Sequence, residues 1–252
     1  MTNSPKPLTR LFTNADLGAD LGADAPCALG FGPAHKLRAV LRAEIGDEIL
    51  LFNGRNGEWR ARLTDIGKSQ AHAQCLSQTR PQTAEPGPWL AFAPIKKDPL
   101  DMMIEKAVEL GVQKLIPVIT RRTENRRVKE ERLNQQIIDA CEQCERLTVP
   151  TLEAPISLDH LPAFWPPERT LIVCAERRNA QPLAQALKSI NGPLGLLIGP
   201  EGGFTDAELD AALKLPISIP VTLGPRILRA ETAAIAALAV IQATCGDWST
   251  NP

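Results

Sequence analysis

The sequence predicts an α/β protein with a β-rich N-terminal domain. Three observations carry that prediction. Residues up to about Thr79 form short strand-like segments, the stretch "RPQTAEPGP" that follows has the composition of a linker, and the rest alternates apolar runs with amphipathic ones. The chain has 252 residues and is 44% hydrophobic, enough for a sizeable core. We therefore expect two domains, residues 1–79 and 80–252.

The N-terminal domain is predicted to consist of β-strands around one short helix. The strand candidates are "EILLF", "EWRARLTDI" and "AHAQCLSQT", whose residues alternate or are rich in β-forming types. The segment "NGRNG" after the first of them contains two Asn-Gly pairs, which are typical of a tight turn. We expect a compact β structure here.

Strands and helices alternate after the linker. Predicted strands are "WLAFAP", "KLIPVIT", "TLIVCA", "GLLIG" and "PISIPVTL", apolar enough for a buried parallel sheet. Predicted helices are "DPLDMMIEKAVELG", "VKEERLNQQIIDACEQCERL", "TDAELDAALKL" and "RAETAAIAALAVIQATC". In the first helix Asp98 suits the N-cap, Pro99 the first turn and Gly111 the end. We expect helices on both faces of the sheet.

Composition excludes several classes of protein. The net charge of −1 does not indicate general nucleic-acid binding, and six cysteines are too few for a disulfide scaffold of this length. Cys141 and Cys144 form a C-x-x-C without a second pair, and the three histidines are scattered, so no metal is expected. We find neither a signal peptide nor an apolar run near the ~20 residues that a membrane helix needs. These features favour a soluble, cytoplasmic protein without membrane partners.

The stretch "LLIGPEGGFT", Leu196 to Thr205, ends a predicted strand in a loop of small residues around Glu201. In open α/β sheets ligands bind at the carboxyl ends of strands, and glycines let a ligand approach the backbone. Thr205 and Glu208 form a capping box for the next helix. The loop matches neither the phosphate-binding P-loop nor the dinucleotide fingerprint. It is either a simple turn or a ligand site.

A second loop has the same construction. The stretch "LGPRILRAETAA", from Leu223 to Ala234, again joins a strand end, a Gly-Pro turn and a helix. We expect the two preceding strands to be neighbours, so that both loops line one crevice. Neither loop contains lysine, which argues against a polyphosphate and favours a flat, mostly neutral ligand.

Together the two loops resemble the paired C-terminal motifs of SPOUT methyltransferases, and in particular the RsmE family, which methylates N3 of a uridine in 16S ribosomal RNA. The segments "HKLRAVLRAEIGDEILLFNG", "MIEKAVELGVQKLIPVITRRT" and "ACEQCERLTVPTL" resemble other parts of that family. The resemblance implies a PUA-like β-barrel followed by a SPOUT domain with a deep trefoil knot. Departures are Cys144 and Glu145, where the family often has Ser-Gly, and Pro99, where it often has a basic residue.

The resemblance also implies S-adenosylmethionine as the methyl donor, bound in the knot without a metal. The expected contacts are Leu197, Ile198, Gly199, Gly202, Leu223, Gly224, Ile227, Leu228 and Thr232. Most of them would act through backbone and apolar surface.

Arg229 and Glu201 are the candidate catalytic residues. A positive group at a helix N-terminus opposes the helix dipole, so the position of Arg229 calls for an anionic partner. A guanidinium can stabilise the negative charge of a deprotonated uracil. Glu201 is a weaker candidate for a base, with water as an alternative, and it could simply pair with a nearby arginine. The identity of the base is open.

Local basic clusters indicate RNA binding despite the slightly negative chain. The candidates are Arg10, Lys36, Arg38, Arg42, Arg121, Arg122, Arg126 and Arg127. A solvated surface is the alternative interpretation of the "RRTENRRVK" segment. The low aromatic content of 4% argues against extended base stacking and favours a folded RNA.

The predicted function is therefore methylation of N3 of one uridine in the 16S RNA of the small ribosomal subunit, by a homodimer. Two alternatives remain open at this point. The chain could modify another RNA site, such as a ribose 2′-hydroxyl or a tRNA base, or it could be a ribosome-assembly factor that binds RNA without chemistry.

Overall fold

The structure is a computed structural model, and it describes residues 6–15, 17, 26–175 and 180–249. The chain divides into two compact units. The first contains residues 1–84 and 138–149, and the second contains residues 85–137 and 150–252. The division at 84/85 falls inside the proline-rich segment expected to be a linker. The domain boundary at 79/80 stays a prediction. No pattern in the sequence predicts that residues 138–149 belong to the first unit.

A five-stranded sheet forms the first unit. Its strands are β1 (Arg10–Phe12), β2 (Pro26–Leu29), β3 (Glu48–Phe52), β4 (Glu58–Ile66) and β5 (Ala71–Arg80). They lie in the order β1-β3-β4-β5-β2, with only the β1–β3 pair parallel. The three strands predicted from the sequence are confirmed. The two missed strands have three and four residues, too short for a periodic pattern to show.

The short helix of the first unit joins β2 to β3. It consists of α1 (Phe31–His35) and a π-helical turn over Lys36–Leu41. Ala34 and Leu37 are fully buried against the sheet, together with Leu51, Leu63 and their neighbours. The core of this unit therefore lies between the helix and one face of the sheet.

A parallel sheet forms the second unit. Its strands are β6 (Trp89–Phe92), β7 (Lys114–Ile119), β8 (Thr151–Leu152), β9 (Ile156–Ser157), β10 (Thr170–Cys174), β11 (Gln181–Pro182), β12 (Leu194–Ile198) and β13 (Ser218–Thr222). The order is β11-β13-β10-β12-β6-β7-β8, and β9 also pairs with β7. The five strands predicted for this region are confirmed, whereas the missed β8, β9 and β11 have only two residues each.

Helices cover both faces of this sheet. They are α2 (Lys97–Glu109), α3 (Glu130–Cys144), α4 (Leu161–Phe164), α5 (Leu183–Ala186), α6 (Asp206–Leu213) and α7 (Ala230–Cys245). Leu161 of α4 and Ala212 of α6 pack with Ala91, Val173 and Leu197 on one face. Because side chains alternate along a strand, Leu196 and Ile198 point to the other face, where α7 packs on β12 and on α2.

Two details of the sequence prediction are corrected. Helix α2 starts at Lys97 with Lys96 as the N-cap residue, so Asp98 lies in the first turn instead of at the cap. Pro99 fits there because amides of the first turn lack helical partners. The end is as predicted, since Gly111 follows the helix with a φ of +78°.

The second correction concerns the strands before the two glycine loops. β12 and β13 are not neighbours, because β10 pairs with both and lies between them. All three strands are parallel, so both loops still leave the sheet at its carboxyl edge, about 10 Å apart.

The family's trefoil knot stays a prediction. The order of the strands supports it, because β13 is inserted between β10 and β11, two strands that precede it in the chain. Among the described residues, none of the helices is both long enough and apolar enough to cross a membrane.

Candidate functional site

Several loops of the second unit leave the sheet at its carboxyl edge. The segments that follow β6, β7, β12 and β13 include residues 93–96, 120–129, 199–205 and 223–229. We call residues 199–205 the first glycine loop and residues 223–229 the second glycine loop. The edge where ligands bind in α/β sheets therefore carries both loops and the basic segment 121–129.

The first glycine loop is a tight turn. The Gly203 amide donates to the Pro200 carbonyl over 2.8 Å, and the φ of Gly203 is +66°, which glycine adopts without strain. The predicted capping box is confirmed: the Thr205 hydroxyl accepts from the Glu208 amide, and Glu208 accepts from the Thr205 amide. The turn at Gly203 and the capping box at Thr205 therefore fix the backbone of this loop.

Contacts from the basic segment hold this loop. The Arg122 guanidinium donates to the carbonyls of Gly202, at 2.9 Å, and Phe204, at 3.3 Å. The Arg121 amide donates to Glu208 Oε1 over 2.7 Å. Burial alone would raise the pKa of Glu208, but the hydrogen bonds from Arg121 and Thr205 hold that pKa below its ordinary value. The carboxylate of Glu208 therefore joins the two segments.

Glu201 lies at the exposed tip of the first glycine loop. One of its carboxylate oxygens accepts from the Lys96 amide over 3.3 Å. Lys96 ends the loop after β6, so Glu201 connects two neighbouring segments of the sheet edge.

The second glycine loop borders an open cleft. Its backbone turns at Gly224, where φ is +110° and a Cβ would meet nothing within 4 Å. The Thr222 hydroxyl accepts from the Gly224 amide over 3.2 Å and fixes the turn. The cleft is lined by Cys174, Ala175, Val221, Thr222, Leu223, Gly224, Pro225, Arg226, Ile227, Leu228 and Ala233. A ligand here would meet exposed backbone and apolar side chains.

Arg229 directly follows the cleft-lining Leu228 and is the N-cap residue of α7. Its side chain is exposed, and within the described part of the chain it makes no hydrogen bond or ion pair. A cation at this end of a helix opposes the helix dipole. Arg229 is therefore available to an anion brought to the cleft.

The structure assembles only part of the expected cofactor set. Leu223, Gly224, Ile227 and Leu228 line the cleft, and Ile227 is 70% exposed. Thr232 is exposed in the first turn of α7.

The remaining expected contacts lie elsewhere. Leu197 and Ile198 are buried in β12, with Leu197 in the core, so only their backbone could reach a ligand. Gly199 and Gly202 belong to the first glycine loop and do not line the cleft. Cys174 ends β10 and Ala175 follows it, and neither was predicted as a site residue. Their own sequence has no signal for this role, which depends on the place of β10 between β12 and β13.

Arg10 is a wrong prediction of an RNA contact, because it is only 8% exposed. Its guanidinium bonds to Glu58 and to the carbonyls of Cys141 and Arg146, each at 2.7 Å, and lies 3.7 Å from the centre of the Phe52 ring. All of these groups belong to the first unit. All three nitrogens of the buried guanidinium bond within the first unit, so Arg10 has a structural role.

The other predicted RNA residues are placed differently. Lys36 forms an ion pair with Glu142 at 2.6 Å. Arg38 and Arg42 are exposed on the first unit. The remaining four, Arg121, Arg122, Arg126 and Arg127, are exposed on the second unit, although the guanidinium of Arg122 is held by the first glycine loop. Within the described ranges, no group of three or more His, Cys, Asp or Glu side chains is placed to hold a metal.

Proteins similar in sequence and structure show the family of this chain. A ribosomal RNA small subunit methyltransferase E from Rickettsia conorii is 36% identical over 211 residues, which cover 82% of this chain and 85% of the relative. A solved ribosomal RNA small subunit methyltransferase E from Neisseria gonorrhoeae, bound to S-adenosylmethionine, is 32% identical with a TM-score of 0.81. The alignment covers 93% of this chain and 96% of that one.

A second solved structure, from Legionella pneumophila and also in complex with S-adenosylmethionine, is 30% identical with a TM-score of 0.78. It covers 95% of this chain and 98% of its own. The predicted α/β methyltransferase domain with a parallel sheet, after a PUA-like domain, is confirmed. Residues 84–242 match the model of an RNA methyltransferase domain and residues 37–75 that of an RNA methyltransferase PUA domain, so the chain belongs to this family of RNA methyltransferases.

Proposed function

We propose that the protein uses S-adenosylmethionine to methylate N3 of a specific uridine in 16S ribosomal RNA of the small ribosomal subunit. The similarity to ribosomal RNA small subunit methyltransferases E supports ribosomal RNA as the substrate, and the uridine N3 comes from the family resemblance. The observation that carries the chemistry is Arg229, an exposed cation without a partner in the described residues, directly beside the cleft.

The second glycine loop fits the cofactor. The lining of its cleft offers backbone polar groups and apolar side chains, as small-molecule sites do. The open space at Gly224 lets a ligand reach the backbone. When bound, S-adenosylmethionine supplies an electrophilic methyl group. Leu223, Gly224, Ile227 and Leu228 would hold it, and Thr232 would add a hydroxyl from the first turn of α7.

Arg229 would act on the uracil. N3 carries a proton at neutral pH and becomes a good nucleophile only after that proton leaves. Its removal spreads negative charge over the two flanking carbonyl oxygens, and a guanidinium offers planar paired donors to such an anion. Because the side chain of Arg229 has no partner within the described residues, it can turn towards the base without breaking an internal bond.

Glu201 would shape the pocket. Its contact with the Lys96 amide ties the first glycine loop to the segment after β6, which limits the space beside the cleft. The carboxylate is exposed and is a candidate to accept the N3 proton, with water as the alternative.

On the second unit, Arg121, Arg126 and Arg127 would contact RNA; on the first unit, Arg38 and Arg42 would do so. The net charge is −1, so attraction to any phosphate backbone is weak and binding should depend on local clusters. The target base must leave its stack at a cost of a few kcal/mol, which a fixed RNA fold can offset. We therefore propose that the assembled small subunit is the preferred substrate, which also implies a cytoplasmic protein.

A homodimer is the proposed assembly. The side of α7 that is not fully buried carries Ile235, Ala236, Ala239 and Val240, all half-buried and apolar, and Trp248 beyond it is 58% exposed. A closed two-fold pair is the commonest oligomer and would cover such a face. Light scattering at micromolar concentration should give twice the chain mass of 27.3 kDa, and a single chain mass would contradict the proposal.

The test of the function supplies labelled S-adenosylmethionine with naked 16S RNA or with small subunits from a strain that lacks the gene. Mass spectrometry of nuclease fragments locates the methyl group. We expect it on N3 of one uridine, with faster transfer to subunits. Equal rates would remove the preference for assembled RNA, whereas a methyl on ribose or on tRNA would overturn the substrate.

A further inference from the structure

The short helix of the first unit presents an exposed pair of stacked rings. The ring centroids of Phe31 and His35 are 6.0 Å apart with an interplanar angle of 26°. The inner side of the same helix is occupied by Ala34 and Leu37, both fully buried. Phe31 is nevertheless 67% exposed. Its ring therefore contributes little to the core and leaves a flat apolar face in solvent.

Two exposed cations follow the ring pair in the same segment of the chain. Arg38 and Arg42 follow His35 at spacings of three and seven residues and are both exposed. Neither side chain forms an ion pair or hydrogen bond within the described residues, in contrast to Lys36, which is paired with Glu142. One exposed phenylalanine is ordinary on a protein surface, but a stacked ring pair beside two available guanidinium groups is a chemically specific combination.

The backbone at the end of this segment is also unusual. The π-helical turn ends at Arg42, whose φ of 53° and ψ of 41° lie in the left-handed region. A residue with a Cβ adopts that conformation only at an energetic cost. π-helical turns and such backbone outliers concentrate at functional sites, where they aim a side chain. Here both features occur in the segment that follows the ring pair and ends at Arg42.

We propose that Phe31 stacks on an unpaired base of the RNA substrate, with Arg38 and Arg42 binding the flanking phosphates. Aromatic rings recognise the π-face that every base has, and arginine binds phosphate through paired donors. The sequence analysis, which took the low aromatic content as evidence against extended stacking, did not include Phe31 or His35. The inference concerns one base instead of an extended strand, and it rests on the proposed function.

The role of the Phe31 ring is tested by a series of substitutions at this position. Phe31→Ala should raise the KM for small subunits at least about five-fold, the lower end of the effect of losing one base stack. The kcat at saturating subunits and the Kd for S-adenosylmethionine should stay within about two-fold. Phe31→Tyr and Phe31→Trp should restore the KM, whereas Phe31→Leu, which keeps apolar volume without a ring, should not.

A second readout locates the contact. Ultraviolet cross-linking of the wild-type protein to small subunits, followed by mass spectrometry, should yield an RNA-linked peptide that contains Phe31. The control is Ile45→Ala, since Ile45 is as exposed as Phe31 at 67% and lies in the same unit. We expect this variant to keep the wild-type KM.

Three results would overturn the stack. The first is an unchanged KM for small subunits in Phe31→Ala. The second is a wild-type KM in Phe31→Leu, and the third is an equal rise of the KM in Ile45→Ala. Either of the last two results would indicate a general apolar surface that docks protein. These outcomes differ from failure of the proposed function, in which the wild-type protein itself would transfer no methyl group to small subunits.

Discussion

Arg10 and Arg229 lie in different units and were both expected from the sequence to meet RNA. Arg10 is 8% exposed and its guanidinium is bonded to Glu58 and to two backbone carbonyls. Arg229 is exposed at the start of α7 and has no partner within the described residues. A charge in the sequence does not distinguish these roles. The distinction comes from the partners that the fold provides, and it predicts that one arginine maintains the structure while the other serves chemistry.

The largest effect should come from Arg10→Ala. The change removes one of the two arginines paired with the buried Glu58, which keeps Arg80, and it also takes a charged donor from the carbonyls of Cys141 and Arg146. We expect a loss of about 3 kcal/mol of unfolding free energy. Urea unfolding at pH 7 measures it. The matched control is Arg38→Ala, an exposed arginine of the same unit, which should stay within about 0.5 kcal/mol. If Arg10→Ala kept wild-type stability but bound RNA more weakly, Arg10 would be an RNA contact instead of a structural residue.

The stability of the protein at low pH should depend on the same ion pair of Arg10 and Glu58. Burial raises the pKa of Glu58, but hydrogen bonds from Arg80, Arg10 and Thr79 outweigh it and lower that pKa from 4.5 to about 2. A depressed pKa stabilises the fold above the unfolded value, so the contribution is present above pH 4.5 and is lost as pH falls towards 2. It amounts to roughly 3 kcal/mol.

The measurement is the unfolding free energy of the wild type and of Glu58→Gln as pH is lowered. The Gln variant should be less stable at pH 7 and should lose less on acidification, because it lacks the titrating group. Parallel losses in the two proteins would show that Glu58 does not control the acid response.

Arg229→Ala should lower kcat by about 100-fold, the scale of one lost charge-stabilising donor. Stability and the Kd for S-adenosylmethionine, measured by urea unfolding and calorimetry, should stay at wild-type values, opposite to Arg10→Ala. Arg229→Lys should recover only part of the turnover, because an ammonium lacks the paired planar donors. Wild-type turnover of Arg229→Ala would remove this residue from the chemistry.

Arg122 and Arg126 allow the same comparison, between an arginine with internal partners and one that is exposed, within the basic segment. Arg122→Ala removes the bonds to the Gly202 and Phe204 carbonyls and should raise the KM for S-adenosylmethionine by about five-fold, equivalent to ~1 kcal/mol for an exposed charged donor. Arg126→Ala is the matched control. It should raise the KM for RNA and leave that for S-adenosylmethionine unchanged. The same change in both variants would show that Arg122 has no special relation to the first glycine loop.

Much of the fold could be predicted because its longer elements carry regular patterns. The apolar runs of β6, β7, β10, β12 and β13 identified the parallel sheet, and Thr205 with Glu208 identified the start of α6. The missed strands are β1, β2, β8, β9 and β11, whose two to four residues carry no regular pattern of their own. The order of β13, β10 and β12 depends on packing between distant segments, which no local pattern reports.

The site could be predicted only in outline. The second glycine loop was found because its composition is unusual, and Gly224 does have the positive φ that glycine permits. Leu197 was expected to contact the cofactor through backbone or apolar surface, and its side chain lies in the core, because position alone does not reveal which face of a strand a residue occupies. Cys174 and Ala175 were missed because their own sequence has no distinctive feature; only their place between the two loops brings them to the cleft.

The most direct test of the account is a crystal structure of this protein with S-adenosylmethionine. We expect the ligand in the cleft lined by Leu223 to Leu228, in contact with the backbone at Gly224, and with its methyl group open to the side from which Arg229 can reach a uracil. S-adenosylmethionine bound away from the second glycine loop, or with Arg229 turned from the methyl group and unable to approach it, would contradict the account.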